Sequence, residues 1–282
     1  LRVSGAAQWY RRSGAVVFCY HNVVPDDLAG RIGEGWLHVG VTEFREQVEW
    51  IARAYTVIPL RELLARLRQG RSLSGLAVLT FDDGYTGVLR HAVPLLRSAS
   101  LPFTLFPVVS TATEPRPFWW DHLGPLQARE RQHLVGALGG DAEQIDTENA
   151  LFAEVDEDGL PAPWSALRSV LGPDCEIGVH TMTHRNLTPL TPEEIAWELT
   201  HARARLQEEL GIHVPTAAYP YGAANEEVFT HMKKAGFEAG FGLDFGLVRS
   251  DADPFNLPRV NVPAGMHISS FACWGSGLKL RF

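Results

Sequence analysis

The sequence predicts an α/β fold in which short buried strands alternate with helices, as in a (β/α) barrel. Seven or eight apolar runs occur along the chain, and helical patterns separate most of them. Strands that alternate with helices indicate a parallel sheet. Reactive residues follow several of these runs directly, among them His21, Asp82 and His180. A (β/α) barrel gathers its active site at the carboxyl ends of its strands.

The chain length allows one large α/β domain or two small ones. Its 282 residues are 45% apolar, which is ample for a core. The regular alternation breaks at about 111–163, a stretch rich in Pro, Gly and acidic residues, and then resumes. We therefore predict a single catalytic domain over residues 1–282, with an insertion at about 111–163 over the barrel mouth.

The composition restricts the partners. A formal charge of −8 and a pI near 5.8 argue against nucleic acid, because a polyanion would be repelled on average. Three cysteines without close pairing indicate reduced, buried thiols. No run reaches the ~18 to 20 apolar residues of a membrane-spanning helix. The chain begins at Leu1 without a signal core, which suggests a cytoplasmic protein, or an extracytoplasmic or membrane-associated one if an upstream segment was removed.

The first part of the chain leads to a pair of adjacent carboxylates. Residues 15–20 predict a strand that ends at His21, and Thr42 is a plausible N-cap of the next helix. The following predicted elements are a strand at 55–58, a helix at 60–67 closed by Gly70, and a strand at 77–79 that stops at Asp82 and Asp83.

The second part continues the alternation. Thr191, Pro192 and Glu194 predict a capped helix start. The predicted elements are a helix at 88–96, a strand at 103–109, a helix at 164–170, a strand at 176–179, a helix at 191–210, a strand at 216–219, a helix at 226–235, a strand at 239–242 and a last strand at 257–262.

Asp82, Asp83 and Gly84 allow two interpretations. Asp and Gly are common turn residues, so the segment can be a strand closed by a polar turn. Alternatively, a turn that begins at Asp83 lets both carboxylates face one pocket, one to bind a metal and the other to handle a proton.

His180 and His184 favour the second interpretation. Two imidazoles and one carboxylate are a common zinc set that leaves positions for water and substrate. Such a site suits the hydrolysis of an amide or ester, and the second carboxylate is then available as the base. Cleavage of an amide also needs a proton donor, for which His21 is a candidate, although a single histidine at a strand end is more often a turn residue than a catalyst. The backbone N–H of Tyr221, after Pro220, is a candidate donor to the oxyanion.

The aromatic cluster Phe118-Trp119-Trp120 precedes Asp121 near the start of the insertion. Clustered aromatics are more often core packing, but tryptophan faces beside a carboxylate also hold sugar rings. Trp119 and Trp120 are therefore candidate substrate-binding residues.

Three segments together resemble the first three motifs of the NodB-like polysaccharide deacetylases, carbohydrate esterase family 4. The segments are Thr80-Phe81-Asp82-Asp83-Gly84, His180-Thr181-Met182-Thr183-His184 and Tyr219-Pro220-Tyr221-Gly222. The resemblance implies a distorted (β/α)7 barrel that removes N-acetyl groups from amino sugars with one divalent metal ion. It also implies that Asp82 is the base, that Asp83, His180 and His184 bind the metal, and that Tyr219 and Tyr221 lie at the substrate.

Two departures from the family pattern concern the catalytic groups. Many members have Arg where this chain has Tyr219, and Arg259 is the candidate to supply that guanidinium from another strand. Many members also carry a late acid histidine, which His267 matches poorly. Tyr20-His21 matches an early motif of the poly-N-acetylglucosamine deacetylase branch, in which the early histidine is the acid. We therefore prefer His21 to His267.

These features lead to one main function and two alternatives. The main prediction is a metal-dependent hydrolase that removes N-acetyl groups from a GlcNAc-type polysaccharide, oligosaccharide or lipid-linked glycan, with Zn²⁺ as the first choice and Co²⁺ or Ni²⁺ as alternatives. One alternative is a catalytically reduced carbohydrate-binding protein of the same fold, supported by Tyr219. The other is an esterase or a deacetylase of a small non-polymeric substrate.

Overall fold

The computed structural model describes residues 13–122, 128–136, 139–142, 145 and 155–278. It is an α/β fold of parallel strands packed against helices, as predicted. The strands are β1 (Val16–Tyr20), β2 (Asn22–Val24), β3 (His38–Gly40), β4 (Thr56–Val57), β5 (Leu76–Asp83), β6 (Phe103–Pro107), β7 (Cys175–Ile177), β8 (Thr216–Ala218), β9 (Ala239–Phe241) and β10 (Val260–Asn261). The α-helices are α1 (Val41–Ala54), α2 (Leu60–Arg68), α3 (Val93–Ser98), α4 (Val109–Thr113), α5 (Trp119–His122), α6 (Ala128–Gly136), α7 (Trp164–Val170), α8 (Pro192–Leu210), α9 (Glu226–Lys234) and α10 (Ile268–Gly275).

The main sheet has the strand order β10-β1-β5-β6-β7, with β4 paired to the start of β5. All of these pairings are parallel, so their carboxyl ends lie at one edge. β8 and β9 form a separate parallel pair. Single parallel bridges link Val179 to Ala217 and Phe241 to Leu257. Within the described ranges the ladders do not form a closed barrel, and the arrangement is barrel-like.

Alternate strand residues enter two apolar clusters. Leu79 and Phe81 belong to the larger cluster, which contains most of the helix residues, whereas Val17, Val78 and Phe106 belong to the smaller one. Because side chains alternate along a strand, Asp82 lies on the same face as Val78. The reactive end of β5 is therefore built directly on the smaller cluster.

Several local expectations are confirmed and one is wrong. The predicted capping box at Thr191 is present, and Gly211 ends α8 in the left-handed conformation. Thr42 does not cap α1, because the N-cap is Gly40 and Thr42 lies inside the first turn of the helix. Its backbone N–H donates instead to Asp26 Oδ1 at 2.9 Å. A hydrogen bond to a distant loop has therefore replaced the expected local cap.

The predicted insertion lies partly outside the described residues. Its described part contains α5, α6 and a short 3₁₀ helix at Glu157–Gly159. Single-domain organisation over 1–282 stays a prediction. Among the helices that the structure describes, none has both the length and the apolar content needed to cross a membrane.

Candidate active site

Asp83, His180 and His184 converge at the carboxyl ends of β5 and β7. The Nε2 atoms of both histidines lie 3.4 Å from Asp83 Oδ1. The chain turns at this point because Asp83 and Gly84 have φ of +67° and +83°. A Cβ on residue 84 would lie 2.6 Å from Pro107 Cβ, so glycine is required there. The sequence segment Asp-Asp-Gly thus directs a buried carboxylate towards the two histidines that follow β7.

The three donor atoms fit a divalent cation. His180 Nδ1 lies 2.9 Å from the carbonyl oxygen of Ala218, to which it donates, so in the neutral ring the Nε2 lone pair faces Asp83. Asp83 Oδ1 is buried, and no group in the described residues forms a hydrogen bond with it. Lone pairs that face one another in a buried site repel unless a proton or a cation lies between them. A carboxylate and two imidazoles are a common set for a transition-metal ion.

The pKa directions agree with a compact charged cluster. Burial opposes ionisation of Asp83, but the His180 and His184 rings beside its carboxylate hold the pKa of Asp83 far below its ordinary value. Burial opposes the charged form of His180 as well, and the neighbouring carboxylates Asp82 and Asp83 raise its pKa. Burial lowers the pKa of His184.

Asp82 is held by a bidentate contact from Arg259. The Nη1 and Nη2 atoms of Arg259 each lie 2.7 Å from one carboxylate oxygen. Burial would raise the pKa of Asp82, but the Arg259 charge overcomes this and lowers it. The Cys19 thiol donates to Asp82 Oδ2 at 3.4 Å. The structure thus brings Arg259, the residue just before β10, to Asp82.

His21 faces the same space from the end of β1. One of its ring nitrogens, Cys19 Sγ and an Asp82 oxygen all lie within 4.8 Å of one another. His21 Nδ1 is buried without a hydrogen-bond partner in the described part of the chain, and the ring meets Trp36 edge-on at 5.6 Å. Burial lowers the pKa of His21, although Asp83 and Asp82 act in the opposite direction. His267 is exposed and accepts a hydrogen bond from the Ser269 N–H as the N-cap of α10.

The aromatic candidates differ in whether they contact the proposed metal ligands or are buried away from them. Trp120 and Tyr221 each place a ring centroid within 4.8 Å of the His184 ring, and Tyr221 Oη lies 3.3 Å from His184 Nδ1. Trp119 and Trp120 are each only 4% exposed, so neither offers an open platform to a sugar. The Tyr219 expectation is corrected, because its side chain is buried and its hydroxyl donates to the Phe255 carbonyl oxygen.

A buried polar chain near the site was not predicted. Asp121 accepts from the Tyr85 hydroxyl at 2.6 Å and contacts His38 Nε2 at 3.1 Å. The Tyr85 hydroxyl accepts in turn from the Trp120 indole N–H at 2.9 Å. Asp121 directly follows the aromatic cluster and Tyr85 directly follows Asp82-Asp83-Gly84, but sequence proximity alone did not indicate that they meet.

The family model for polysaccharide deacetylases matches residues 70–240. A putative polysaccharide deacetylase, YxkH, of Bacillus subtilis is 24% identical over 86% of this chain and 72% of its own length. The poly-beta-1,6-N-acetyl-D-glucosamine N-deacetylase of Escherichia coli K12 is 26% identical over 95% of this chain. The chain spans only 39% of the length of that second relative.

The fold is also similar to that of a solved protein. The structure of IcaB from Ammonifex degensii superposes with a TM-score of 0.66 and 23% sequence identity. The alignment covers 94% of this chain and 97% of the other.

Proposed function

The chain belongs to the polysaccharide deacetylase family, and from that membership we propose that it removes N-acetyl groups from a GlcNAc-type polysaccharide, oligosaccharide or lipid-linked glycan. Poly-β-1,6-N-acetylglucosamine is the first polymer to test, because the Escherichia coli relative is named for it. The observation that carries the proposal is the buried set Asp83, His180 and His184 directly beside the Asp82–Arg259 pair.

We assign the metal site to Asp83, His180 and His184, with Zn²⁺ as the proposed ion and Co²⁺ or Ni²⁺ as alternatives. When bound, such an ion polarises the acetamide carbonyl and acidifies a water molecule. Asp82 accepts the proton of the attacking water, and Arg259 keeps that carboxylate ionised and oriented. Arg259 is therefore a positioning residue.

The remaining roles concern the leaving group and the oxyanion. His21 donates a proton to the departing nitrogen, which cannot leave readily as an amide anion. Its neutral resting form, favoured by burial, must first take up a proton from the reacting groups or from solvent. The backbone N–H of Tyr221 is the proposed oxyanion donor. Trp120 and the Tyr221 ring shield His184 from water.

The proposal is tested by the release of acetate from a substrate panel. The panel contains oligomers of β-1,6-linked and β-1,4-linked GlcNAc, acetylxylan and small N-acetyl compounds, each assayed with Zn²⁺ and after chelation. We expect the wild-type protein to release acetate from the GlcNAc oligomers in a metal-dependent way. The His184→Ala variant should release none. Release from acetylxylan alone would establish an esterase instead, and release only from small compounds would contradict a glycan substrate.

A non-catalytic carbohydrate-binding protein is the competing hypothesis. Its support in the sequence was Tyr219 in place of the family's arginine. That support is weakened because Arg259 contacts Asp82 with both terminal nitrogens. Stoichiometric metal binding without acetate release from any member of the panel would favour this hypothesis.

A further inference from the structure

Glu198 is a buried carboxylate that faces the loop between the two site histidines. It lies in α8 and is 1% exposed. Its Oε2 accepts hydrogen bonds from the backbone N–H groups of Met182 at 2.9 Å and Thr183 at 3.0 Å. Its Oε1 accepts from the Thr183 hydroxyl. All three donors therefore come from the short segment that joins His180 to His184.

This loop is strained, and residues of two helices hold it. Thr181 and His184 have φ of +63° and +65°, a left-handed conformation that residues with a Cβ rarely adopt. The Thr181 and Met182 carbonyl oxygens accept from N–H groups of α4 at 3.2 and 2.9 Å. Such a conformation is unfavourable and persists only where the surroundings fix it. Hydrogen bonds to both α4 and Glu198 therefore hold the loop.

The chemistry of Glu198 indicates a role beyond helix formation. A buried carboxylate is costly unless charge-assisted hydrogen bonds compensate for its desolvation. Burial raises the pKa of Glu198, and the hydrogen bonds from Thr183 and Met182 act against that rise. An apolar residue at this position would serve the packing of α8 at lower cost. The hydrogen bonds that compensate for the burial of Glu198 all come from the loop between His180 and His184.

We infer that Glu198 is a positioning residue that fixes the loop between His180 and His184 and so sets the affinity of the site for its divalent ion. The inference rests on the proposed metal site. Glu198 touches none of the reacting atoms. It acts through the backbone of Met182 and Thr183, which determines where the two imidazoles lie relative to Asp83.

The test measures the Zn²⁺ dissociation constant of the metal-depleted chain by competition with a chelating indicator, below the melting temperature of every variant. Glu198→Ala removes all three acceptor contacts, and we expect Zn²⁺ to bind on the order of tenfold or more weakly. Glu198→Gln keeps a carbonyl oxygen for the two N–H groups and should bind Zn²⁺ within about threefold of wild type. Glu208→Ala, an exposed change in the same helix, is the matched control.

The outcomes separate positioning from folding. A purely structural role would lower the melting temperature of metal-free Glu198→Ala and leave its Zn²⁺ dissociation constant unchanged, which would overturn the inference. If Glu198→Ala does not fold, Glu198→Asp replaces it, because the shorter side chain is expected not to reach both N–H groups. A wild-type Zn²⁺ dissociation constant for Glu198→Asp would equally overturn the inference. Failure of wild type itself to bind Zn²⁺ would instead refute the proposed metal site.

Discussion

At the scale of residues, the adjacent carboxylates Asp82 and Asp83 have different partners. Asp83 meets two imidazoles, while Asp82 meets a guanidinium and a thiol. Side chains alternate along a strand, and the left-handed turn at Asp83 brings its carboxylate back towards the same site as Asp82, where the two carboxylates meet different partners. The Arg259 charge lowers the pKa of Asp82, so Asp82 is ionised and able to accept a proton throughout the neutral range.

Asp82→Asn tests the proposed division of roles. The amide keeps the shape of the side chain but cannot accept a proton, so turnover should fall by about 10² to 10⁴. Zn²⁺ stoichiometry should stay near wild type, because Asp83, His180 and His184 are unchanged. Acetate release and bound metal are measured on the same preparation. Parallel loss of metal and activity would mean that the two carboxylates have the opposite roles.

His21→Ala tests the proposed role of His21 as proton donor. An amine leaving group needs a proton, whereas the leaving group of an activated aryl ester hardly does. We expect amide turnover to fall severely with metal retained, and turnover of an activated acetyl ester to fall much less. His267→Ala is the control, and its effect should be mild because His267 is exposed and caps α10. Equal loss on both substrates would assign His21 a structural role.

At the scale of elements, the candidate site residues could be selected from the sequence because each of them follows closely on a predicted strand. Strands β1, β5 and β7 were expected from apolar runs, and each run ends close to a residue of the site. Contacts between distant segments could not be inferred in this way. Three such contacts depend on tertiary packing. They are the hydrogen bonds of Thr42 with Asp26, of Tyr219 with Phe255, and of Glu198 with the loop between His180 and His184. The short strands β2 and β3 were missed because three residues carry too little periodicity.

The polar chain from His38 through Asp121 and Tyr85 to Trp120 connects β3, the end of β5 and α5. Tyr85→Phe removes one acceptor and one donor from this chain. Because buried Asp121 and Trp120 each lose a partner, we expect unfolding free energy to fall by about 1–3 kcal/mol.

Tyr20→Phe is the matched control for this change. The Tyr20 hydroxyl is buried, and the described ranges supply it with no hydrogen-bond partner. Its removal should be neutral or slightly stabilising. Urea denaturation of both variants measures the difference. If the two substitutions had the same effect, the polar chain would contribute nothing to stability.

At the scale of the whole molecule, the proposed metal ion joins parts of the fold that are distant in sequence. Asp83 ends β5, and the two histidines follow β7 almost 100 residues later. The loop that carries the histidines is held in turn by α4 and α8. An ion that binds only this folded arrangement stabilises the whole molecule by mass action.

Metal removal should therefore lower the melting temperature, and the size of the effect should depend on pH. At a free Zn²⁺ concentration 100 times the dissociation constant, the stabilisation is about 2.7 kcal/mol. Metal binding requires neutral imidazoles, and nearby carboxylates raise the pKa of His180. As the pH falls through that pKa, protons compete with the ion, so the metal-induced rise in melting temperature should shrink towards zero in acid and reach its full size above neutral pH. Thermal unfolding with Zn²⁺ and with chelator across this range provides the measurement, and His184→Ala should show no rise at any pH. A pH-independent rise that His184→Ala retains would place the stabilising ion elsewhere on the protein.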